Sequence, residues 1–183
     1  MTLFIDTHSE TITIAILGDK EFIKQKTTNH EHSKYVLTMI KTILDENNIK
    51  KNDIKEIIVV NGPGSFTGIR IGVVIAKTLS YTLNIPIKTI TSLEAFGISD
   101  SEYFDIIALP DTKGFYYLIR SGNIFKEPAY LNKEDFSAFT KDNNYKVSYN
   151  KNYDFDKILN YTKNINYTDS KNVNPIYIKR LNI

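Results

Sequence analysis

Apolar positions come first in short blocks along the chain and then shift to a longer period. LFID (3–6) and TITIAILG (11–18) are β-branched runs separated by the turn-like THSE, and Gly18-Asp19 makes a hairpin pair leading into EFIKQKT (21–27). From Ser33 the spacing becomes helical. Tyr35, Val36, Leu37, Met39, Ile40, Ile43 and Leu44 spread over an arc of about 200°, twice the ~100° stripe of an ordinary amphipathic helix. A helix of that kind buries more than one side. EIIVV (56–60) reads as a strand covered on both faces, as in a parallel sheet. A Gly-rich turn then leads into a second helix over about 67–82, a strand at IPIKTITS (85–92) and a short helical turn at LEAF.

After the polar break GISDSEY (97–103) the order starts again. FDIIALP (104–110), FYYLIR (115–120) and NIFKEPAY (123–130) predict three strands, KEDFSAFTK (133–141) a helix and YKVSY (145–149) a strand. YDFDKILNYT (153–162) predicts a second helix, and NPIYIKR (174–180) a last extended segment. The first half reads β-β-β-α-β-α and the second half repeats it in order, though not in residues. Two such units describe the duplicated ribonuclease-H-like α/β fold of the actin, sugar-kinase and Hsp70 group. The expected division is an N-terminal lobe over 1–99 and a smaller, reduced C-terminal lobe over 100–183. Fold alone assigns no function.

Bulk composition removes several classes of chemistry. The chain of 183 residues has no cysteine, which excludes disulfide frameworks, thiolate zinc sites and cysteine nucleophiles. MTLFIDTHSE is too short in apolar residues for a signal segment, and no run approaches a membrane span, so a cytoplasmic location is expected. Net charge is only +2 with the lysines scattered, unlike the clustered basic face of a protein that grips nucleic acid by itself. Contact with RNA is therefore expected only through a partner.

The candidate motifs fail the chemistry they first suggest. DTHSE (6–10) stands where this fold places a phosphate loop, but it lacks the small residues such a loop needs, and Asp6 reads better as the start of an Asx turn. Past Gly97 only Gly114 and Gly122 remain, both at hairpin turns, which leaves a second phosphate loop without material. No Lys-Ser or Lys-Thr follows Gly68, so the Gly-rich turn is no Walker loop. His30 and His32 are two apart and cannot share a helical face as metal ligands; Ser33, or His32 at its edge, reads as the helix cap. Ser65 and Thr67 have no identifiable His–acid pair, and GPGSF is not a nucleophile elbow. No catalytic, cofactor-binding or metal-ligating residues are assigned.

The glycines recur instead at a packing interval. Gly68, Gly72 and Ala76 are four apart on the second helix and form a stripe that another element can approach closely. Arg70 and Lys77 lie along one edge of that helix. Ser65 or Thr67 caps it, and Gly62-Pro63-Gly64 makes the turn that aims it. Two readings remain. Either both helices cover their own sheet, or each turns one side outward to a partner, in a four-helix interface. On the second reading Val36, Met39, Ile40, Ile43, Ile69, Gly72, Val73 and Ala76 are the interface candidates, with Arg70 and Lys77 as a polar rim.

Several stretches together resemble one family. FIDTHSETITIAIL, HSKYVLTMI, VVNGPGSFTGIRIGVVIAKTLSYTLNIPI followed by TSLEAF, PDTKGFYYLI and NPIYIKR are similar to the TsaB family, with GPGSFTGIRIG the most specific element. The likeness covers residues 1 to about 97 closely and thins afterwards, and Thr112 and Lys113 depart from the family's Asp-Ala-Arg-like hairpin motif. The resemblance implies a non-catalytic scaffold subunit in tRNA threonylcarbamoyladenosine formation, without a cofactor of its own. It implies a heterodimer with a catalytic paralogue of the TsaD type, formed through the first two helices, and an ATPase subunit of the TsaE type on that pair. Alone, the same surface could form a homodimer. The rival expectations are an ATP-dependent small-molecule kinase or self-sufficient transferase on the same fold, and a metallopeptidase.

Overall fold

The computed structural model describes residues 1–29, 31–121 and 124–178. Its first sheet has the order β3-β2-β1-β4-β5, built from β1 (Thr2–Asp6), β2 (Thr11–Leu17), β3 (Phe22–Thr27), β4 (Glu56–Val60) and β5 (Ile87–Ile90). β1, β2 and β3 form an antiparallel meander, whereas β4 runs parallel to β1 and β5 parallel to β4. Two helices supply the crossovers, α1 (His32–Glu46) and α2 (Phe66–Leu83).

Alternation along the strands explains why β1 and β4 are apolar throughout. Leu3, Ile5, Ile57 and Val59 point into one core with Val36 and Ile43 of α1 and Ile69 and Val73 of α2. Phe4, Ile58 and Val60 point to the other side, where they meet Ala95 of α3 (Ser92–Ser99) and Phe155 and Ile158 of α5 (Phe155–Thr162). Thr91 and Glu94 close a reciprocal capping box at the start of α3, which carries the expected LEAF turn on into an eight-residue helix.

The second sheet is shorter. β6 (Ile106–Asp111) pairs antiparallel with β7 (Gly114–Ser121) and parallel with β10 (Val147–Ser148), while β7 also pairs with β8 (Ile124–Phe125) and β9 (Ala129–Asn132). The single strand expected over 123–130 is thus two short ones, with Gly122 and Asn123 outside the described residues. α4 (Lys133–Asp142) covers one face through Phe136. The order β9-β7-β6-β10 repeats β3-β2-β1-β4, without a counterpart of β5 among the described residues. This is the duplicated ribonuclease-H-like fold with its second half reduced.

The chain after residue 150 does not stay with the second sheet, as a division at residue 99 implies. α5 packs on the first sheet, Thr168 bridges to Ile87, and Val173 is buried in the same core as α1 and α2. The closing segment is extended, as expected, but it makes no strand: the Ile176 N–H donates to the Asn61 carbonyl at 2.8 Å, and residues 179–183 lie outside the described ones.

Candidate functional site

The two sheets enclose a cleft of about 820 Å³ at the carboxyl end of β1. Open α/β sheets usually place ligands at such an end. At its base lies Asp6, 1% exposed. Its carboxylate accepts from the His8 N–H at 2.9 Å, which closes the expected Asx turn, and lies 2.8 Å from His8 Nδ1. The Tyr153 hydroxyl donates to it at 2.6 Å from the segment before α5. Burial by itself pushes the Asp6 carboxyl up, but the His8 ring and the three hydrogen bonds outweigh it and hold the group below its usual value. Burial and the Asp6 charge in turn push the Tyr153 phenol well up. Phe96 stacks on Tyr153 with ring centres 4.8 Å apart and meets His8 edge-on. Sequence reasoning missed Tyr153 because 147 positions separate it from Asp6.

The Gly-rich turn sits directly on this group. A side chain at Gly68 would run into the Thr7 carbonyl, and one at Gly72 into the Thr7 hydroxyl. The Thr7 hydroxyl donates to the Gly68 carbonyl at 2.7 Å. Gly62 holds φ +120°, open to glycine at no steric cost. The glycines therefore let α2 press against the turn after β1. Two N–H groups at the start of α2 are turned onto the protein itself. Ser65 N–H donates to the His8 carbonyl at 2.6 Å, and Gly68 N–H to the capping Ser65 hydroxyl at 3.2 Å. Among the described residues no three His, Asp or Glu side chains group as metal ligands. His30 lies outside those residues, and His32 is buried with Nε2 2.7 Å from the Ser9 carbonyl. That bond ties α1 to the first hairpin; the helix starts at His32, so Ser33 is inside it and not its cap.

The expected interface residues lie in two kinds of surroundings. Val36, Met39, Ile40, Ile43, Ile69, Gly72, Val73 and Ala76 are all buried within the lobe's own core. The glycine stripe is the side of α2 that approaches β1, and its neighbours follow it inward. Arg70 and Lys77 each meet the closing segment. Arg70 Nε donates to the Tyr177 hydroxyl at 2.7 Å with its guanidinium over the Phe66 ring, and Lys77 Nζ donates to the Lys171 carbonyl at 3.1 Å. The outward sides of the helices carry other apolar residues: Leu37 is 54% exposed, Val74 60% and Tyr81 75%. Tyr35, Ile71 and Ile75 beside them are half-buried.

Against known proteins, the family model described as TsaD, tRNA N6-adenosine threonylcarbamoyltransferase, matches residues 19–108. The "tRNA threonylcarbamoyladenosine biosynthesis protein TsaB" of Bacillus subtilis is 36% identical over 110 residues, 59% of this chain and 48% of that protein. A tRNA N6-adenosine threonylcarbamoyltransferase of Legionella pneumophila is 30% identical over 122 residues, 64% of this chain and 36% of that protein. The solved structure of YeaZ from Pseudomonas aeruginosa superposes with a TM-score of 0.77 at 16% identity, over 96% of this chain and 98% of that one. The chain is TsaB/YeaZ-like. This TsaB-like chain spans about half the length of the curated relatives it matches. No helix among its described residues is long and apolar enough to cross a membrane.

Proposed function

We propose that the chain is a non-catalytic subunit in tRNA threonylcarbamoyladenosine biosynthesis, which holds a catalytic paralogue of the TsaD type through the outer sides of α1 and α2. The observation that carries this reading is the exposed apolar set Leu37, Val74 and Tyr81 on two adjacent helices whose inner sides are already satisfied. The nature of the partner follows from the likeness of one stretch of chain to both TsaB and the transferase. A paralogue carries an equivalent helix pair, and two pairs meeting give a four-helix interface. The non-catalytic role is supported by the cleft, where Asp6 and the N–H groups of Ser65 and Gly68 spend their hydrogen bonds on the protein itself. An ATPase subunit of the TsaE type joins the assembled pair, tRNA is reached only through the complex, and the work is done in the cytoplasm. Without the paralogue, a second copy of this chain takes the same face.

Sedimentation of the chain alone and mixed with the TsaD-type protein of its own organism tests this. The expected result is a heterodimer that Val74→Arg or Leu37→Arg abolishes while the variants melt like the wild type. A heterodimer indifferent to both substitutions, or none at all, overturns the docking face. Micromolar ATP affinity of the isolated chain overturns the non-catalytic role and favours a kinase.

A further inference from the structure

The starting ends of β1, β4 and β5 lie at the end of the first sheet opposite the cleft. There Thr2, Glu56 and Lys88 border a pocket of about 340 Å³ together with Lys55, Lys163 and Tyr167. Lys88 is the unusual member. Its side chain is 7% exposed, and a lysine that deep ordinarily has its charge paired at hydrogen-bonding distance. Here the nearest carboxylate oxygen, on Glu56, is 3.4 Å away, and that carboxylate also accepts from the Thr2 hydroxyl at 2.9 Å. The Tyr167 ring lies under the ammonium at 4.6 Å. An ammonium has three N–H donors, and an ion pair of that length with a ring face leaves room for a further acceptor. Lys55, which donates to the Asn52 carbonyl at 2.9 Å, and Lys163, 3.5 Å from the Asn160 amide oxygen, bring two more positive charges to the same pocket. Three lysines and the Met1 terminus thus line the pocket with one carboxylate.

We propose that this pocket binds a phosphate oxyanion. Lys88 would donate to it from the floor, and Lys55 and Lys163 from the rim. The Tyr167 ring closes one side of the pocket. The lysines stand at positions 55, 88 and 163, on three different segments, which is why no basic cluster is visible along the chain. Only the parallel pairing of β4 with β5, and the return of the chain past α5, bring them together. The oxyanion could belong to free phosphate or to an RNA backbone, and the inference holds whether or not the chain pairs with a catalytic paralogue.

The test is a titration of the 15N-labelled full chain with inorganic phosphate, followed by amide shifts, with sodium chloride at matched ionic strength as control. A parallel titration uses a ten-nucleotide single-stranded RNA. The expected result is a saturable shift at Lys55, Lys88 and Lys163 that chloride does not reproduce. Lys88→Met and the exposed Lys163→Gln should each weaken it about tenfold, as loss of one charge-assisted hydrogen bond does. Saturation by phosphate but not by RNA assigns the site to free phosphate, and displacement of RNA from these residues by phosphate assigns it to a phosphodiester backbone. No saturable shift with either probe overturns the proposal, as does a shift that chloride reproduces or one unchanged in a folded Lys163→Gln variant.

Discussion

The two sides of α2 are both apolar, yet they differ in what an added atom would meet. On the inner side Gly68 and Gly72 lie against the turn after β1, so close that a single carbon at Gly68 would collide with the Thr7 carbonyl, and Ala76 is fully buried. On the outer side Val74 and Tyr81 are mostly exposed. The smallest residues mark the line of closest approach on the filled side, with Ile69 and Val73 buried beside them, and Val74 and Tyr81 mark the side with room. A small-residue stripe on a helix is therefore evidence of close packing and says nothing about whether the neighbour belongs to the same chain.

Substitutions that distinguish the two sides give graded outcomes. Ala76→Arg has the largest effect, since it places a charge at a fully buried position with no partner; loss of the folded state is expected, read as absent thermal cooperativity by circular dichroism. Gly68→Ala forces α2 away from Thr7 and should cost about 1–3 kcal/mol in denaturant unfolding. A neutral result there would mean that the inner side is looser than the geometry requires. Tyr153→Phe removes the hydroxyl bond to Asp6 from the cleft side of the same turn, at roughly 1.5 kcal/mol.

The same substitution carries a pH signature. Burial and Asp6 raise the folded phenol pKa of Tyr153 above the unfolded value. The stability this lends is complete below pH ~10 and falls as pH rises toward the folded value. Wild type should therefore lose stability more steeply than Tyr153→Phe above that pH. Tyr161, pushed up by burial and by Glu94, keeps a residual slope in both. Val74→Arg has the smallest effect on folding, within about 0.5 kcal/mol, and its unchanged melting beside a lost heterodimer would make the contrast between the two sides complete.

Much of the first lobe was readable along the chain because its signals are local. β1, β2 and β4 follow from β-branched runs, the Ser65 cap lies beside its helix, and Asp6 closes its Asx turn two residues on. What escaped are pairings between distant positions. The stripe on α2 was visible as a close-packing surface, but its neighbour Thr7 lies 61 residues earlier. Arg70 looked like a rim charge because its partner Tyr177 is 107 residues away. α1 starts at His32, ahead of the expected Ser33 cap, with no side-chain cap to mark it and with its first ring bonded to Ser9, 23 residues earlier. The short strands β8 and β10 have little periodicity to read, which left the second sheet the less legible half.

The return of the closing segment to α2 bears on how the lobe is made. Val173 enters the first core, and the Ile176 N–H and Asn61 carbonyl join it to the Gly-rich turn, only after the whole second sheet has been synthesised. A nascent chain that has emerged up to α3 holds five strands and two crossover helices but lacks both α5 and the strap along α2. Such non-local closure is slow to form, so on the ribosome the first lobe waits in an unsealed state while the second is translated. The order in which this protein is read out is therefore not the order in which it becomes complete.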